Sequence, residues 1–339
     1  MTNIVYISLS EEDSILIYKM DDVSGRLSLI DKTKVEGGPA PLTKDPEGKL
    51  LFVGSRASCK VSSFSINQTS GSLTPLNSTK LNSDPCYMST DRKGKVLLLS
   101  YYAAGGVSVH SIEPNGEIGH DHSYWLNTDT GAHCIQTTPS NKFAFVPHIA
   151  GAVGTNAIFQ FRFDERSGQL IPNTPYKVFP SDNVGPRHFC FHPNNEVVYF
   201  SNEQGSSVTA YTLSMSSGTL KPFQTVPTIP SDFLSDNTCA QIHISPRGNL
   251  LCVSNRGHNS IACFSVNRST GSLNLTDIKP TVPTPRAFNF DATGKFLIAT
   301  SVDTGRLVSY RIDEESGTLD TIEEFEVGNG PMWVLPLEL

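Results

Sequence analysis

The sequence predicts an all-β fold, a seven-bladed β-propeller made of four-stranded antiparallel blades. Three observations carry this prediction: a tight-turn signal that occurs seven times, a second signal that alternates with it, and a composition rich in turn-forming residues. The 339 residues include 26 Gly and 22 Pro, and only 17% of them are charged. Such a composition suits many short strands and tight turns better than long helices.

The first signal is a small or turn-forming residue followed by Gly, placed between two stretches of alternating apolar residues. It reads VSGRL, TSGSL, PNGEI, RSGQL, SSGTL, STGSL and ESGTL, with its glycines at Gly25, Gly71, Gly116, Gly168, Gly218, Gly271 and Gly317. Glycine adopts positive φ at little cost, so this pattern predicts a tight turn between two antiparallel strands.

The second signal is a turn followed directly by an apolar strand. It reads KDPEGKLLFVGSR, TDRKGKVLLLSYY, TTPSNKFAFVPH, FHPNNEVVYFSNE, ISPRGNLLCVSNR and FDATGKFLIATSV. The two signals together predict four antiparallel strands in each unit of roughly 50 residues, which is typical of a β-propeller blade.

Seven turns of the first kind but only six complete copies of the second imply that one blade is divided between the two ends of the chain. The chain begins within a blade, at NIVYISL and SILIYKM, and the missing inner strand lies in GPMWVLPL near its end. Pairing the N-terminal strands with the C-terminal strand would close the ring and remove an open sheet edge. We therefore expect a single domain over residues 1–339. Two β-sandwiches, the competing architecture, would predict no fixed repeat of this length.

Composition also excludes several classes of partner. The net charge is −7 and there is no basic run, so binding to the phosphates of a nucleic acid is not expected. No run approaches 18 apolar residues, so no membrane span is expected. The N-terminus lacks the basic region of a signal peptide, and seven scattered cysteines without a CxxC motif indicate free thiols. These features predict a cytoplasmic protein; whether it is a monomer or a weak dimer stays open.

Aligning the repeats brings two sets of strand ends to one mouth of the central channel. The starts of the first, channel-lining strands are Ala40, Cys86, His133, Arg187, Ala240, Arg286 and Met332. The ends of the second strands are Arg56, Tyr102, His148, Glu203, Arg256 and Val302, where His148 fits if its turn has one residue fewer. The repeats differ at these ends while the strand centres are uniformly apolar, so we expect the functional site at this mouth.

These residue types suit the chemistry of a small anion. Arg187, Arg256 and Arg286 can each bind a carboxylate or phosphate through paired hydrogen bonds. His133 and Glu203 can move protons. The chain has no GxSxG nucleophile motif and no GxGxxG or Walker motif for a nucleotide. The pattern thus predicts an anionic small molecule held by arginines, with proton transfer or water activation by His or Glu and no need for a covalent intermediate.

A purely structural interpretation exists for several of these side chains. Arg56 and Arg286 could be solvated charges or could tie neighbouring blades together through carbonyl groups. Glu203 could belong to a structural ion pair, and His243 could be a hydrogen-bonded histidine within the channel. A metal site is conceivable from His133, His188, His148 and Glu203. However, no two of these histidines are joined by an HxH or HxxxH spacing, and the cationic rim disfavours a bound cation, so we expect no metal.

Several segments resemble a known family. GPRHFCFHPN, SNEQGSSV, AQIHISPRGNLLCVSNR, PTPRAFNFDATGKFLIA and GNGPMWV are similar to the bacterial propeller-type 6-phosphogluconolactonases, and the resemblance covers essentially the whole chain. It implies a cytoplasmic seven-bladed propeller that hydrolyses 6-phospho-D-glucono-1,5-lactone in the oxidative pentose phosphate pathway, without metal or organic cofactor. The same family includes the fungal carboxy-cis,cis-muconate cyclases, which form a lactone rather than opening one.

The resemblance also implies roles for individual residues. The proposed active residues of the fungal branch, one His, two Arg and one Glu, fall by motif on His133, Arg187, Glu203 and Arg256. The bacterial pattern CHS reads AHCI here, with the His kept and its neighbours changed. Bacterial relatives need no His at the position of His148, so its role stays open.

For a lactonase we expect His133 to be the general base, with Glu203 orienting it or the water, because the arginines should lower the pKa of Glu203 and weaken it as a base. The reverse assignment remains open. Arg187 completes the catalytic set. The residues expected to bind substrate are Arg256, Arg286, His188, His148 and Tyr102. Two other functions remain: a cycloisomerase acting on a muconate-like diacid, and a non-enzymatic propeller scaffold.

Overall fold

A computed structural model describes residues 2–119, 124–151, 154–193, 196–313 and 315–339. These residues form 28 β-strands, and no helix occurs among them. The strands make seven four-stranded antiparallel sheets, which confirms the predicted seven-bladed propeller. Accordingly, no helix in the described ranges is long and apolar enough to cross a membrane.

Each blade is one sheet, and the strands run in chain order from the channel outward except in the first blade. Blade 1 contains β1 (Asn3–Leu9), β2 (Ser14–Met20), β3 (Leu27–Lys34) and the last strand, β28 (Pro331–Glu338). Blade 2 contains β4 (Pro39–Lys44), β5 (Leu50–Ser55), β6 (Lys60–Ile66) and β7 (Leu73–Lys80). Blade 3 contains β8 (Tyr87–Thr90), β9 (Val96–Tyr101), β10 (Gly106–Ser111) and β11 (Tyr124–Asn127).

The remaining blades follow the same order. Blade 4 contains β12 (Gln136–Thr137), β13 (Phe143–His148), β14 (Ala157–Asp164) and β15 (Gln169–Val178). Blade 5 contains β16 (Pro186–Phe191), β17 (Val197–Asn202), β18 (Ser207–Leu213) and β19 (Leu220–Pro227). Blade 6 contains β20 (Thr238–Ile244), β21 (Leu250–Arg256), β22 (Ser260–Val266) and β23 (Leu273–Pro280). Blade 7 contains β24 (Pro285–Phe290), β25 (Phe296–Ser301), β26 (Arg306–Ile312) and β27 (Leu319–Glu326).

The ring closes in blade 1, as the divided repeat predicts. Strand β28 pairs antiparallel with β1, in a register that runs from Asn3 opposite Glu338 to Ser8 opposite Trp333. Because β28 lies at the inner edge of the sheet, the last strand of the chain lines the channel while β1 is covered on both sides. The pairing removes two sheet edges that would otherwise be open.

The seven predicted turn glycines all have positive φ, between 65° and 86°. They also touch the neighbouring blade. The Tyr6 hydroxyl of blade 1 donates a hydrogen bond to the carbonyl of Gly71 in blade 2 (2.8 Å), and Tyr199 donates to Gly271 in the same way (2.7 Å). A Cβ atom at Gly71 would lie 2.9 Å from Ile4. Glycine is therefore required at this turn both by the backbone and by the close packing of two blades.

The core lies between the blades rather than inside a single layer. Seven apolar clusters are present in the described structure, and each combines side chains of two adjacent blades. Blade 1, for example, packs Tyr6 and Ile17 against Leu51 and Val53 of blade 2. All seven cysteines are free, as predicted, and five of them are buried. Every blade thus depends on both neighbours for its burial, so the ring is stabilised as a whole.

A recurring bulge shapes the channel mouth. In blades 2, 5, 6 and 7 the register of the innermost strand shifts directly after its first paired residues, for example between Pro186 and Phe189 and between Pro285 and Ala287. A bulge lets two consecutive residues face one partner residue and re-aims their side chains. Arg187, His188 and Arg286 all lie within such bulges.

Candidate active site

One carboxylate joins two arginines at the mouth predicted from the repeats. Arg187 is the second residue of β16, Glu203 follows the last residue of β17, and Arg256 ends β21. The Nε atom of Arg187 lies 2.9 Å from Oε2 of Glu203, and Nη2 of Arg256 lies 2.8 Å from Oε1. Arg256 also donates to the Cys239 carbonyl (3.0 Å). The strand ends therefore bring the two cations and the anion together. In the sequence Arg187 and Arg256 are 69 residues apart, with Glu203 between them.

Many polar atoms at this mouth are buried without a hydrogen-bond partner among the described residues. Arg187 is only 2% exposed, and its 2.9 Å contact with Glu203 is an ion pair whose angle does not make a hydrogen bond. The unpartnered atoms at the mouth are Nδ1 of His133, Nε and Nη1 of Arg187, Nε2 of His188, Oε2 of Glu203 and Nε of Arg256. Buried polar groups are nearly always paired in folded proteins. Their concentration here indicates a site built to bind a polar ligand.

Two histidines and a tyrosine complete one wall of the site. The ring centroids of His133 and His188 are 5.2 Å apart, and those of His133 and Tyr102 are 5.9 Å apart, each pair edge to face. His133 donates its backbone N–H to the Pro147 carbonyl (3.0 Å), which ties it to β13. The structure thus places Tyr102 and His133 together, as expected from the repeats, and adds His188, which follows Arg187 in β16.

Two aromatic residues that the sequence reasoning missed lie directly below this wall. Tyr87 and Trp333 occupy the same position in their repeats as His188, one residue after the mouth position. Ring centroids are 5.0 Å apart for Tyr87 and His188, and 5.6 Å apart for Tyr87 and Trp333. All three line a cavity of about 340 Å³ that continues along the channel past His243. In β16 the bulge explains why this second position also faces the channel, because regular strands alternate their faces.

His243 fits the structural interpretation given above. It is a channel residue whose Nε2 lies 3.3 Å from Oε1 of Gln241, and its ring packs edge to face on Phe288. Arg56 also has a structural partner, since its Nη2 lies 2.6 Å from Oδ2 of Asp84 on the same rim. Asp84 is a further residue that the repeats do not reveal, because it lies in the loop before β8 and not at a strand end.

Burial and the arginine charges set the protonation of the site. Burial, and after it the charges of Arg187 and Arg286, hold the pKa of His133 well below its usual range. Burial and Arg187 do the same to His188. Burial alone would raise the pKa of Glu203, but Arg187 and Arg256 outweigh it and lower that pKa. Both histidines are therefore neutral at pH 7, Glu203 is ionised, and His133 is free to accept a proton.

His148 does not belong to this group, so its expected place at the mouth is wrong. The proposed deletion in its turn does not exist: Thr138 N–H bonds the Phe143 carbonyl at 2.7 Å, just as Ser245 N–H bonds the Leu250 carbonyl. The residue equivalent to Glu203 is therefore Ile149, whose N–H bonds the Gly131 carbonyl as that of Glu203 bonds the Gly185 carbonyl. A one-residue shift along a strand turns the side chain to the opposite face.

The surroundings of His148 are those of a buried structural histidine. Its Nε2 lies 2.8 Å from the Thr128 hydroxyl and its Nδ1 lies 3.0 Å from the Val146 carbonyl. Its ring stacks on Phe159 at 4.1 Å between centroids. Both ring nitrogens are occupied by protein groups, which leaves no polar atom of His148 for a substrate.

No group of three or more His, Cys, Asp or Glu side chains with metal-binding geometry occurs among the residues that the structure describes. At the mouth, the neighbours of His133 and His188 are the arginine Arg187 and aromatic rings rather than further carboxylates. The donor set at this mouth is thus that of an anion site.

We expect the protein to lose stability as the pH falls from 7 to 5. Burial lowers the pKa of His148 and of His243 to about 4 in the folded protein, whereas an unfolded histidine titrates near 6.5. Between these values the unfolded chain binds protons that the folded chain does not bind, so each such group destabilises the fold by up to ~1.4 kcal/mol per pH unit.

The measurement is urea unfolding at pH 7.5, 6.5, 5.5 and 5.0, followed by circular dichroism. The His243→Asn variant should show a smaller loss of stability over the same range, because it lacks one of the groups. An unfolding free energy that stays constant from pH 7.5 to 5.0 would contradict this assignment.

Comparison with known proteins relates the chain to lactonases. The family model described as "Lactonase, 7-bladed beta-propeller" matches residues 4–336. The chain is 32% identical over 339 residues to the 6-phosphogluconolactonase of Pectobacterium atrosepticum, covering 100% of each chain. It is 31% identical to that of Serratia proteamaculans, covering 98% of each. The periplasmic gluconolactonase of Pseudomonas aeruginosa has the same fold, with a TM-score of 0.89 at 22% identity, over 100% of this chain and 99% of that one.

Proposed function

This chain belongs to the lactonase family of seven-bladed β-propellers, and we propose that it hydrolyses 6-phospho-D-glucono-1,5-lactone to 6-phospho-D-gluconate. The observation that carries the proposal is the set of buried, unpartnered polar atoms of His133, Arg187 and His188 at one channel mouth. That set combines a neutral base with cationic hydrogen-bond donors. It occurs in a chain whose full-length relatives carry the name 6-phosphogluconolactonase.

In the proposed reaction, His133 takes a proton from a water molecule as the water oxygen attacks the carbonyl carbon of the lactone. The negative charge that develops on the carbonyl oxygen is stabilised by Arg187, whose Nε and Nη1 have no hydrogen-bond partner in the described structure. The tetrahedral intermediate then collapses, the bond between the carbonyl carbon and the ring oxygen breaks, and the ring oxygen takes the proton back from His133. The resulting acid loses its proton to solvent.

We propose for Glu203 a different role from the one expected from the sequence. Each of its carboxylate oxygens contacts a guanidinium group, that of Arg187 or that of Arg256, rather than an imidazole. We assign Glu203 and Arg256 to positioning Arg187 beside the reacting carbonyl. His133 is then the base, and the low pKa that keeps it unprotonated at pH 7 also makes its conjugate acid a good proton donor to the leaving oxygen.

The proposed substrate also suggests the cellular compartment of the protein. Hydrolysis of this lactone belongs to the oxidative pentose phosphate pathway, and we place the protein in the cytoplasm. The seven free cysteines support a reducing compartment.

The direct test is a coupled assay in which the lactone is generated freshly and its hydrolysis is compared with the spontaneous rate. The protein should accelerate hydrolysis well above that rate, and heat-inactivated protein should not. Activity on carboxy-cis,cis-muconate with none on the phosphorylated lactone would instead identify a cycloisomerase.

Activity should survive exhaustive treatment with a metal chelator. The reason is that the proposed base is a neutral histidine and the oxyanion is stabilised by an arginine, so no step needs a Lewis acid. The measurement is kcat/KM before and after chelation and dialysis, with Mg²⁺, Mn²⁺ or Zn²⁺ added back. A loss of activity that one of these ions restores would show that the histidines serve as metal ligands.

A further inference from the structure

The arginines at the mouth differ in what already neutralises them. Glu203 contacts both Arg187 and Arg256, and Asp84 pairs with Arg56. Arg286, the second residue of β24, has neither a hydrogen bond nor an ion pair among the described residues. A bound anion could therefore pair with this guanidinium group without displacing a carboxylate of the protein.

Arg286 occupies the same strand position as one of the proposed catalytic groups, since it is the second residue of β24 as Arg187 is the second residue of β16. It lies within the bulge of β24, between Pro285 and Ala287, which directs it to the channel mouth. It is half-buried, and burial together with the charges of Arg256 and Arg56 lowers its pKa to about 10, so that it remains protonated at neutral pH. Its charge in turn lowers the pKa of His133, which indicates that the two groups border one site.

The net charge of the site indicates what kind of ligand would neutralise it. Arg187, Arg256 and Arg286 contribute three positive charges and Glu203 contributes one negative charge, which leaves two positive charges. His133 and His188 are neutral, and Arg56 is offset by Asp84. A phosphate monoester carries about −1.5 to −2 charges at pH 7, whereas a carboxylate carries one and an unphosphorylated lactone carries none. The charge of the site thus matches a phosphorylated substrate.

We propose that Arg286 binds the phosphate group of the substrate and is the residue that makes the site select phosphorylated over unphosphorylated sugar lactones. This proposal rests on the proposed function and assigns different tasks to two arginines that the sequence left equivalent. Arg256 is engaged by Glu203 and the Cys239 carbonyl, so it is a positioning residue. Arg286 keeps its guanidinium fork available for two phosphate oxygens.

Binding of the phosphate would also raise the pKa of the proposed base, His133. Burial and, after it, the arginine charges lower the pKa of His133, and a bound dianion offsets the part that comes from the arginines. The pKa of His133 would then rise towards neutrality, where proton transfer is most effective at pH 7. An unphosphorylated lactone lacks this effect, so the phosphate should improve kcat as well as KM.

The test compares two substrates in three variants of the full chain. The kcat/KM values for 6-phospho-D-glucono-1,5-lactone and for D-glucono-1,5-lactone are measured for wild type, Arg286→Met and Arg286→Lys. We expect the ratio of the two values to fall about 100-fold in Arg286→Met, which loses the charge, and about tenfold in Arg286→Lys, which keeps the charge but loses the fork. Arg56→Met is the matched control on the same rim, and its ratio should stay within threefold of wild type. A ratio that is unchanged in both Arg286 variants overturns the proposal.

A binding measurement separates this proposal from the proposed function. Calorimetry with 6-phospho-D-gluconate and with D-gluconate should show that wild type prefers the phosphorylated compound and that Arg286→Met loses at least tenfold of that preference. If the wild type hydrolyses neither lactone but this result holds, the proposed function is wrong and Arg286 is still a phosphate-binding residue. If the wild type is a lactonase but binds both compounds equally, or Arg286→Met keeps the preference, the role of Arg286 is wrong and the proposed function stands.

Discussion

The His133→Asn variant is expected to lower kcat for the phosphorylated lactone by about 10²–10⁴-fold, the usual contribution of a general acid or base. Asn keeps a similar volume and a polar end but cannot accept and return a proton at neutral pH. Because Nδ1 of His133 has no protein partner in the described structure, its loss should leave the fold intact. Steady-state kinetics with freshly generated lactone, corrected for spontaneous hydrolysis, measure the effect, and circular dichroism checks the fold.

His243→Asn is the matched control, because His243 is also a channel histidine but is half-buried and lies away from the arginine mouth. Its kcat should stay within about threefold of wild type. If kcat of His133→Asn also stays within that range, the assignment of proton transfer to this mouth is wrong. His188, which borders the cavity below, then becomes the residue to test.

The Glu203→Gln variant tests whether Glu203 positions Arg187 or transfers a proton itself. This variant should also lower kcat, but unlike His133→Asn it should lower the free energy of unfolding by about 3–5 kcal/mol, because the buried cation Arg187 loses its only nearby carboxylate in the described structure. The double variant combines His133→Asn with Glu203→Gln. If Glu203 were the base instead, kcat of the double variant would be little lower than that of Glu203→Gln alone.

Deleting residues 331–339 should unfold the whole protein at ambient temperature rather than fray one blade. The deletion removes β28 and leaves β1 without its inner partner. It also removes Val334 and Leu337, which are 1% and 5% exposed and belong to the clusters that join blade 1 to blades 7 and 2. Burial of two such side chains is worth about 1.5–3 kcal/mol each, and the loss of the strand pairing adds to this.

The measurement is the thermal transition followed by circular dichroism. Glu338→Ala changes an exposed side chain on the same strand, so it should melt within a degree or two of wild type. A truncated protein that keeps the wild-type melting temperature would show that ring closure through β28 does not stabilise the propeller.

The architecture could be predicted from the sequence because it repeats. Each Gly turn, such as that at Gly71, needs positive φ and occurs seven times. The turn followed by an apolar strand occurs in six complete copies, so an error in one copy is corrected by the others. The same repetition predicted that Arg187 and Glu203 would meet, since equivalent strand ends must lie on one face.

The repeats were least informative where one blade is irregular. In blade 4 the inner strand is only two residues long, Gln136–Thr137, and His148 was aligned by assuming a deletion that is not there. A shift of one residue exchanges the two faces of a strand. The alignment therefore predicts that His148 faces the channel, whereas its side chain packs between blades. The aromatic residues Tyr87 and Trp333 are missed by the sequence reasoning because each lies one position after the strand end that the repeat alignment compares.

The pairing of β28 with β1 also bears on how the chain reaches its fold. The partner of β1 follows every other strand in the chain, so the first blade keeps an unpaired inner edge until the last strand has been synthesised. Contacts separated by more than 300 residues carry a large loop-closure entropy and form slowly. The growing chain therefore passes through a stage in which six blades can assemble while an exposed edge persists at the first. That stage is the one most prone to aggregation, and chaperones would have most effect on it.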